Sequence, residues 1–185
     1  MNCFEKRGIT SPKKLLNYFE SNMKYGFKYF KNVFTDSQPD FQENMNRLYK
    51  LRIGENFLQS GYGVCWDFCE CERLFFEYIG KEHKCFFVET ILENGEGGPT
   101  HTFALFKENG KWCWFEFAWL AERGIHEFNT IEEAIEIIVK KLVKFCNEKI
   151  CKVNVFRTEK AAKRMDAFEF VEHCLKGKLV FSRTF

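Results

Sequence analysis

The fold is decided by the stretch Gly61-Tyr62-Gly63-Val64-Cys65-Trp66-Asp67-Phe68. Two glycines loosen the chain before Cys65, and apolar residues then recur with helical spacing up to Ile79, where Gly80 supplies a stop. The pattern predicts a turn that delivers Cys65 to the start of an amphipathic helix. A thiol at that position faces unpaired backbone N–H groups and the positive end of the helix dipole, and both favour the thiolate.

Length and composition are those of an ordinary globular chain. The 185 residues predict a single domain, with N-terminal helices over 11–58, a central core over 59–119 and a C-terminal helix and strands over 120–185. The formal net charge is only +2, so nucleic acid is not an implied partner. No segment approaches the length of a transmembrane helix, and no membrane partner is expected.

Cysteine usage and the first residues bear on the cellular compartment. The chain has 9 cysteines, an odd number, and no spacing among them suggests a disulfide framework. The N-terminus lacks the apolar core of a secretory signal. We therefore expect a reduced, cytoplasmic protein.

Helical patterns come before strand patterns along the chain. Ser11-Pro12 is a good helix start, and the apolar face that follows extends to about Tyr25. Residues 27–40 have the composition of a loop. Beyond the Cys65 helix, further helices are predicted over 40–51, 131–146 and 166–175, and strands over 85–92, 101–106, 111–119, 151–156 and 178–183. This order predicts the α+β class with an antiparallel sheet.

The dipeptide Asn109-Gly110 is a strong signal for a two-residue hairpin turn. With that turn Phe103 lies opposite Glu116, so His101 and Glu116 share one face as diagonal neighbours, roughly 7–8 Å apart at Cα. We expect this face to be turned towards the start of the Cys65 helix, and helices such as 131–146, or another layer, to cover the other face. That other face would carry Thr102, Ala104, Phe106, Cys113, Phe115 and Phe117. A three-residue loop would separate His101 from Glu116.

Thiol, imidazole and carboxylate, in that order, are the parts of a cysteine acyl-transfer site. Cys65 would attack an acyl carbon, and His101 would take the thiol proton and return it to the leaving group. Glu116 would hold the imidazole in one tautomer and stabilise its cation. The backbone N–H of Cys65 and the side-chain amide of Gln59 are candidate donors to the oxyanion.

Each of these residues also has an ordinary structural interpretation. A cysteine taken at random from nine is more often a buried small hydrophobe than a nucleophile, and a lone histidine on a strand is usually a core residue. Glu116 lies among four aromatic residues, so if buried it needs a partner, which His101 supplies in catalysis or merely in structure. The alternative bases are His83, His126 and His173, none of which shares such a geometric argument with a carboxylate.

Metal binding is the main rival chemistry. A cluster in sequence is formed by Cys65, Cys69, Cys71, His83 and Cys85. Its spacing is not that of a zinc knuckle, and Cys69 and Cys71 on one helix point about 200° apart. Neither a metal nor another cofactor is expected.

The sequence resembles the transglutaminase-like superfamily of papain-like cysteine enzymes, particularly its short bacterial members. The matching segments are Gly63 to Phe68, Thr100 to Phe103, and Trp112 to Glu116, within about 59–119. Gln59 is similar to the oxyanion glutamine of papain-type proteases. The third catalytic residue is usually Asp in the family, and here it is Glu116.

The resemblance implies a nucleophile helix packed on an antiparallel sheet, and chemistry through a thioester on Cys65: amide hydrolysis, deamidation or acyl transfer to an amine. The expected substrate is a protein or peptide. The resemblance also allows a non-catalytic protein-interaction domain of the same fold, whose apolar groove would present Trp66 and Trp119.

Overall fold

The computed structural model describes residues 2–146 and 148–185, which form an α+β architecture. The helices are α1 (Pro12–Asn22), α2 (Phe41–Leu48), α3 (Glu55–Ser60), α4 (Cys65–Tyr78), α5 (Ile131–Phe145) and α6 (Ala167–Leu175). The strands are β1 (Lys24–Tyr25), β2 (Phe27–Tyr29), β3 (Asn32–Phe34), β4 (Tyr62–Gly63), β5 (His83–Leu92), β6 (His101–Glu108), β7 (Lys111–Glu116), β8 (Gly124–Phe128), β9 (Ile150–Thr158) and β10 (Lys178–Thr184).

The main sheet has six antiparallel strands in the order β10-β9-β5-β6-β7-β8. Its hairpin β6–β7 turns at Asn109 and Gly110, whose φ angles of 49° and 80° are those of a tight two-residue turn. Glu108 pairs with Lys111 and Leu105 with Trp114, so the predicted register is confirmed.

The start of α4 is fixed by the turn that precedes it. A Cβ on Gly63 would lie 2.3 Å from the ring of Phe57, so only glycine fits there. The Asp67 carboxylate accepts hydrogen bonds from the backbone N–H groups of Val64 and Arg52, each at 2.9 Å. These contacts cap the helix, which begins at Cys65 as the sequence predicts.

Helices cover both faces of the sheet. Helices α1 and α4 pack on the face that carries Ala104, Phe106 and Phe115. Helix α5 packs on the opposite face, against Leu105 and Trp114. The Ala104 face is therefore covered by the other layer that the expectation allowed, α1 and α4, whereas the helix over 131–146 covers the Leu105 face. Alternation along a strand determines which residues share a face, but it leaves open which helix lies on that face.

Several shorter elements differ from the sequence-based prediction. Residues 27–40 are not all loop, because β2 and β3 form a hairpin within them. Helix α2 ends at Leu48, before the predicted boundary of 51, and β7 ends at Glu116 instead of 119. Helix α3 and strand β8 were not predicted as elements. Of the helices that the structure describes, none is both long and apolar enough to cross a membrane.

A buried ion pair joins α4 to the sheet. The Arg73 guanidinium contacts the Glu70 carboxylate at 3.1 Å and donates to the backbone oxygen of Thr158, the last residue of β9, at 3.1 Å. Glu70 also accepts a hydrogen bond from the backbone N–H of Ala161. The pair therefore holds the body of α4 against β9 and the segment that follows it.

Candidate active site

Strand topology places the three predicted catalytic residues at one end of the sheet. His101 is the first residue of β6 and Glu116 is the last of β7, so in an antiparallel pair they lie at the same end. Cys65, the first residue of α4, lines a cleft of about 890 Å³ together with His101. The cleft is also lined by residues of α5, which approaches from the opposite face of the sheet.

His101 and Glu116 form a direct, buried contact. The Nε2 atom of His101 lies 2.8 Å from Oε2 of Glu116, and the two residues are only 6% and 2% exposed. The other carboxylate oxygen, Oε1, accepts a hydrogen bond from the backbone N–H of Trp119 at 2.8 Å. Both oxygens of Glu116 are therefore engaged, and Nδ1 is the ring nitrogen of His101 left for a third group.

The surroundings of His101 favour its charged form. Burial alone would lower its pKa, but the negative charge of Glu116 and the nearby side chain of Cys65 outweigh burial and raise the pKa to about 10. The imidazole is therefore a cation at neutral pH. A cation beside a thiol stabilises the thiolate, which is the reactive form of cysteine.

The other cysteines lie in different surroundings. All nine are free thiols. Burial raises the pKa of Cys71, Cys113 and Cys174, so these side chains stay protonated and behave as small apolar groups. Cys146 shares the cleft with Cys65, and burial raises its pKa too.

Aromatic residues form the wall of the cleft. The Trp119 ring meets the His101 ring edge to face, with centroids 5.8 Å apart, and lies 5.2 Å from the ring of Phe145. Phe145 and Leu120 are 62% and 74% exposed, which makes the mouth of the cleft apolar. Trp119 thus lies at the site, as the sequence predicts.

Two predicted site residues lie elsewhere. Gln59 is exposed on α3, donates to Glu55 at 2.7 Å, and lines a separate cleft beside Arg52. Trp66 is buried in the core and stacks on Phe170 at 4.7 Å. The structure therefore brings neither the Gln59 amide nor the Trp66 ring to the cleft of Cys65. Sequence proximity to Cys65 was the signal for both residues, and the left-handed turn at Gly61, followed by the short strand β4, redirects the chain between Gln59 and α4.

The alternative bases have partners of their own, and so do the carboxylates of Glu122 and Asp67. His83, His126 and His173 each contact a backbone carbonyl oxygen away from Cys65. Glu122 is held by Lys141 at 2.7 Å. Burial raises the pKa of Asp67 to about 6, and its carboxylate caps α4.

Sequence reasoning missed two residues near the site. Tyr25 on β1 lines the cleft, where the parallel pairing of β1 with β4 brings it close to Cys65. Glu72, two turns after Cys65 on α4, is 2% exposed; burial, followed by the charge of Glu116, raises its pKa well above the usual range. The only sequence signal for Glu72 was its place on the helical face of Cys65, and Tyr25 gave none, because a two-residue strand has no periodicity.

Within residues 2–146 and 148–185, no group of three or more His, Cys, Asp or Glu side chains is arranged to hold a metal ion. Cys69 lies beside Cys85, whose Sγ is 4.0 Å from the Cys69 backbone oxygen, and this contact belongs to the core between α4 and the sheet. No protein-family model matches the chain, and no curated protein sequence matches it either.

Proposed function

We propose that this protein is a transglutaminase-like, papain-like cysteine enzyme that works through a thioester on Cys65. The observation that carries the proposal is the buried contact between His101 and Glu116 in reach of the Cys65 side chain. A histidine with a purely structural role needs only one hydrogen-bond partner. The His101 ring has the Glu116 carboxylate on one side and the Cys65 thiol, which lines the cleft, on the other.

The proposed reaction begins with attack on an amide or ester carbonyl. The Cys65 thiolate forms the S–C bond, and the electron pair of the carbonyl moves to its oxygen. When the carbonyl reforms, the leaving amine of an amide, or the leaving alcohol of an ester, takes the proton of the His101 imidazolium. His101 then removes a proton from water or from a second amine, which attacks the thioester and releases the thiolate. Glu116 holds the ring in place through both steps.

The lining of the cleft supports an acyl donor with a bulky apolar or aromatic group. Trp119, Phe145 and Leu120 offer apolar surface next to the thiol, whereas the charged lining residues are few. A protein or peptide side chain near an apolar residue fits this description. The end of α5 would then contribute to substrate choice through Phe145.

The first test is the reactivity of the thiols. With iodoacetamide at pH 6, read by mass spectrometry, Cys65 should be labelled before the other eight cysteines, because it lines the cleft at the start of α4 beside the His101 imidazole. Cys146 is the internal control, since it shares the cleft but has a raised pKa. Equal labelling rates for Cys65 and Cys146 would show that only access of the reagent to the cleft controls the reaction, and Cys65 would no longer be assigned as the nucleophile.

A second test detects whether Cys65 forms a covalent acyl intermediate during turnover. An activated ester such as p-nitrophenyl acetate should give a burst of nitrophenolate and an acyl group on Cys65, detected by mass. Absence of the acylated species would favour the alternative, a non-catalytic interaction domain. The exposed Leu120 and Phe145 at the mouth of the cleft are the observation that favours that alternative.

A further inference from the structure

The placement of Tyr25 is fixed by its backbone. Strand β1 runs parallel to β4, with Tyr25 paired to Gly63, and the backbone N–H of Gly26 donates to the oxygen of Gly63 at 3.0 Å. Gly63 is two residues before Cys65, so this pairing ties Tyr25 to the turn that presents the nucleophile. The Tyr25 ring is held on its other side by Phe41, with centroids 6.4 Å apart.

The half-buried Tyr25 side chain lines the cleft with Cys65 and His101, and its hydroxyl makes no hydrogen bond to any residue that the structure describes. Burial raises the pKa of Tyr25 well above its usual value, and the nearby charge of Cys65 raises it further. The hydroxyl therefore keeps its proton over the whole working range of pH.

The acyl-transfer reaction needs such a donor. The backbone N–H of Cys65 has no acceptor within α4, because it belongs to the first turn of the helix. Gln59, the expected second donor, lies in another cleft. Several other polar groups of the cleft are engaged or closed off from it: the Thr35 and Ser37 hydroxyls bond to each other, and Arg123 donates to the Phe117 oxygen. The indole N–H of Trp119 has no partner, but this atom is fully buried and does not face the open cleft.

We infer that the Tyr25 hydroxyl and the Cys65 backbone N–H together form the oxyanion hole of this site, an inference that rests on the proposed function. When Sγ of Cys65 adds to the carbonyl carbon, the electron pair of the C=O bond moves to oxygen. Tyr25 donates a hydrogen bond to that oxygen and keeps its proton. The bond is released when the carbonyl reforms and the leaving group departs.

Two reactions of the same thiol separate this role from a structural one. Iodoacetamide is attacked at a saturated carbon and loses iodide, so no oxyanion forms. Acylation by p-nitrophenyl acetate passes through an oxyanion and loses nitrophenolate. In Tyr25→Phe we expect the acylation rate of Cys65 to fall by about 10²-fold, with the alkylation rate unchanged within about twofold. The matched control is Tyr62→Phe, which removes a phenol outside the cleft, where the ring lies beside Lys28.

Each outcome either supports or overturns the assignment of Tyr25 to the oxyanion hole. If wild-type Cys65 is alkylated but never acylated, the proposed function fails, and the inference fails with it. If the wild-type protein is acylated and Tyr25→Phe is acylated equally fast, the inference alone is wrong. An equal fall in the acylation and alkylation rates in Tyr25→Phe would show that Tyr25 positions the Cys65 thiol and does not bind the oxyanion, so the inference would be wrong. A selective loss of acylation in Thr100→Val instead would move the donor to Thr100, the remaining hydroxyl of the cleft.

Discussion

At the scale of single residues, one carboxylate controls the charge of the histidine beside it. Burial opposes the charge of His101, and the charge of Glu116 is the largest contribution that raises its pKa. In Glu116→Gln the shape is nearly kept but that charge is lost, so the pKa of His101 should fall. We expect any acyl-transfer activity to drop by about 10²–10⁴-fold, measured as kcat/KM with an activated ester. Full activity would show that another group orients the base.

The same substitution has a stability signature. The pKa of His101 is raised from 6.5 to about 10 in the folded state, so the folded protein binds this proton more tightly than the unfolded chain does. The resulting stabilisation is complete below pH 6.5 and is lost as the pH rises through about 10. Urea unfolding at pH 6.5 and pH 10 should therefore show a larger loss of stability in the wild-type protein than in Glu116→Gln. An equal loss of stability in the wild-type protein and in Glu116→Gln would mean that the contact between His101 and Glu116 does not cause this pH dependence.

At the scale of elements, the segment before α4 leaves no room for a side chain at Gly63. In Gly63→Ala the new Cβ would lie 2.3 Å from the Phe57 ring and 3.1 Å from Cβ of Asp67. We expect a loss of about 1–3 kcal/mol in the free energy of unfolding, because Phe57 or the helix start must shift. Slower alkylation of Cys65 should accompany it, since Asp67 caps the helix that presents the thiol.

Gly97→Ala is the matched control for that experiment. No atom lies within 4 Å of its added Cβ, and its backbone is not left-handed. We expect unchanged alkylation of Cys65 and little change in stability. Comparable losses in both variants would point to a general effect of replacing glycine.

The sequence predicts those elements whose signals are local and redundant. Asn109-Gly110 determines the register of β6 and β7, and that register brings His101 and Glu116 together. The β2–β3 hairpin was missed because its turn contains Phe30, with φ of 52°, where glycine would normally give the signal. Helix α3 has six residues, too few for a periodic apolar face.

At the scale of the whole molecule, the assignment of helices to faces depends on contacts between distant segments. The apolar residues of α5 predict a helix that is buried on one side, and the sheet offers two apolar faces. Both assignments satisfy the local pattern, so the sequence leaves this choice open. The position of Gln59 has a similar cause, because the turn at Gly61 sets a chain direction that residue spacing does not reveal.

The buried pair of Glu70 and Arg73 connects α4 to β9 across the molecule. Arg73→Met should cost about 3–5 kcal/mol in the free energy of unfolding, because the Glu70 carboxylate is left buried without its cation. Urea denaturation measures the change. Lys176→Met is the control, since Lys176 pairs with Glu172 where both side chains are about 70% exposed, and its loss should cost under about 1 kcal/mol. Similar small costs for both variants would show that water relieves the charge of Glu70.

The backbone N–H of Trp119 donates a hydrogen bond to Glu116, so the hydrogen-exchange rate of this one amide reports on the state of the whole site. Its proton is shielded by the same carboxylate that holds His101, so it exchanges with deuterium only when this corner of the molecule opens. Exchange at Trp119 therefore measures how often the histidine and its carboxylate separate, in protein that has met no substrate. A compound that occupies the cleft would slow this exchange, which gives a way to search for ligands before any turnover is known.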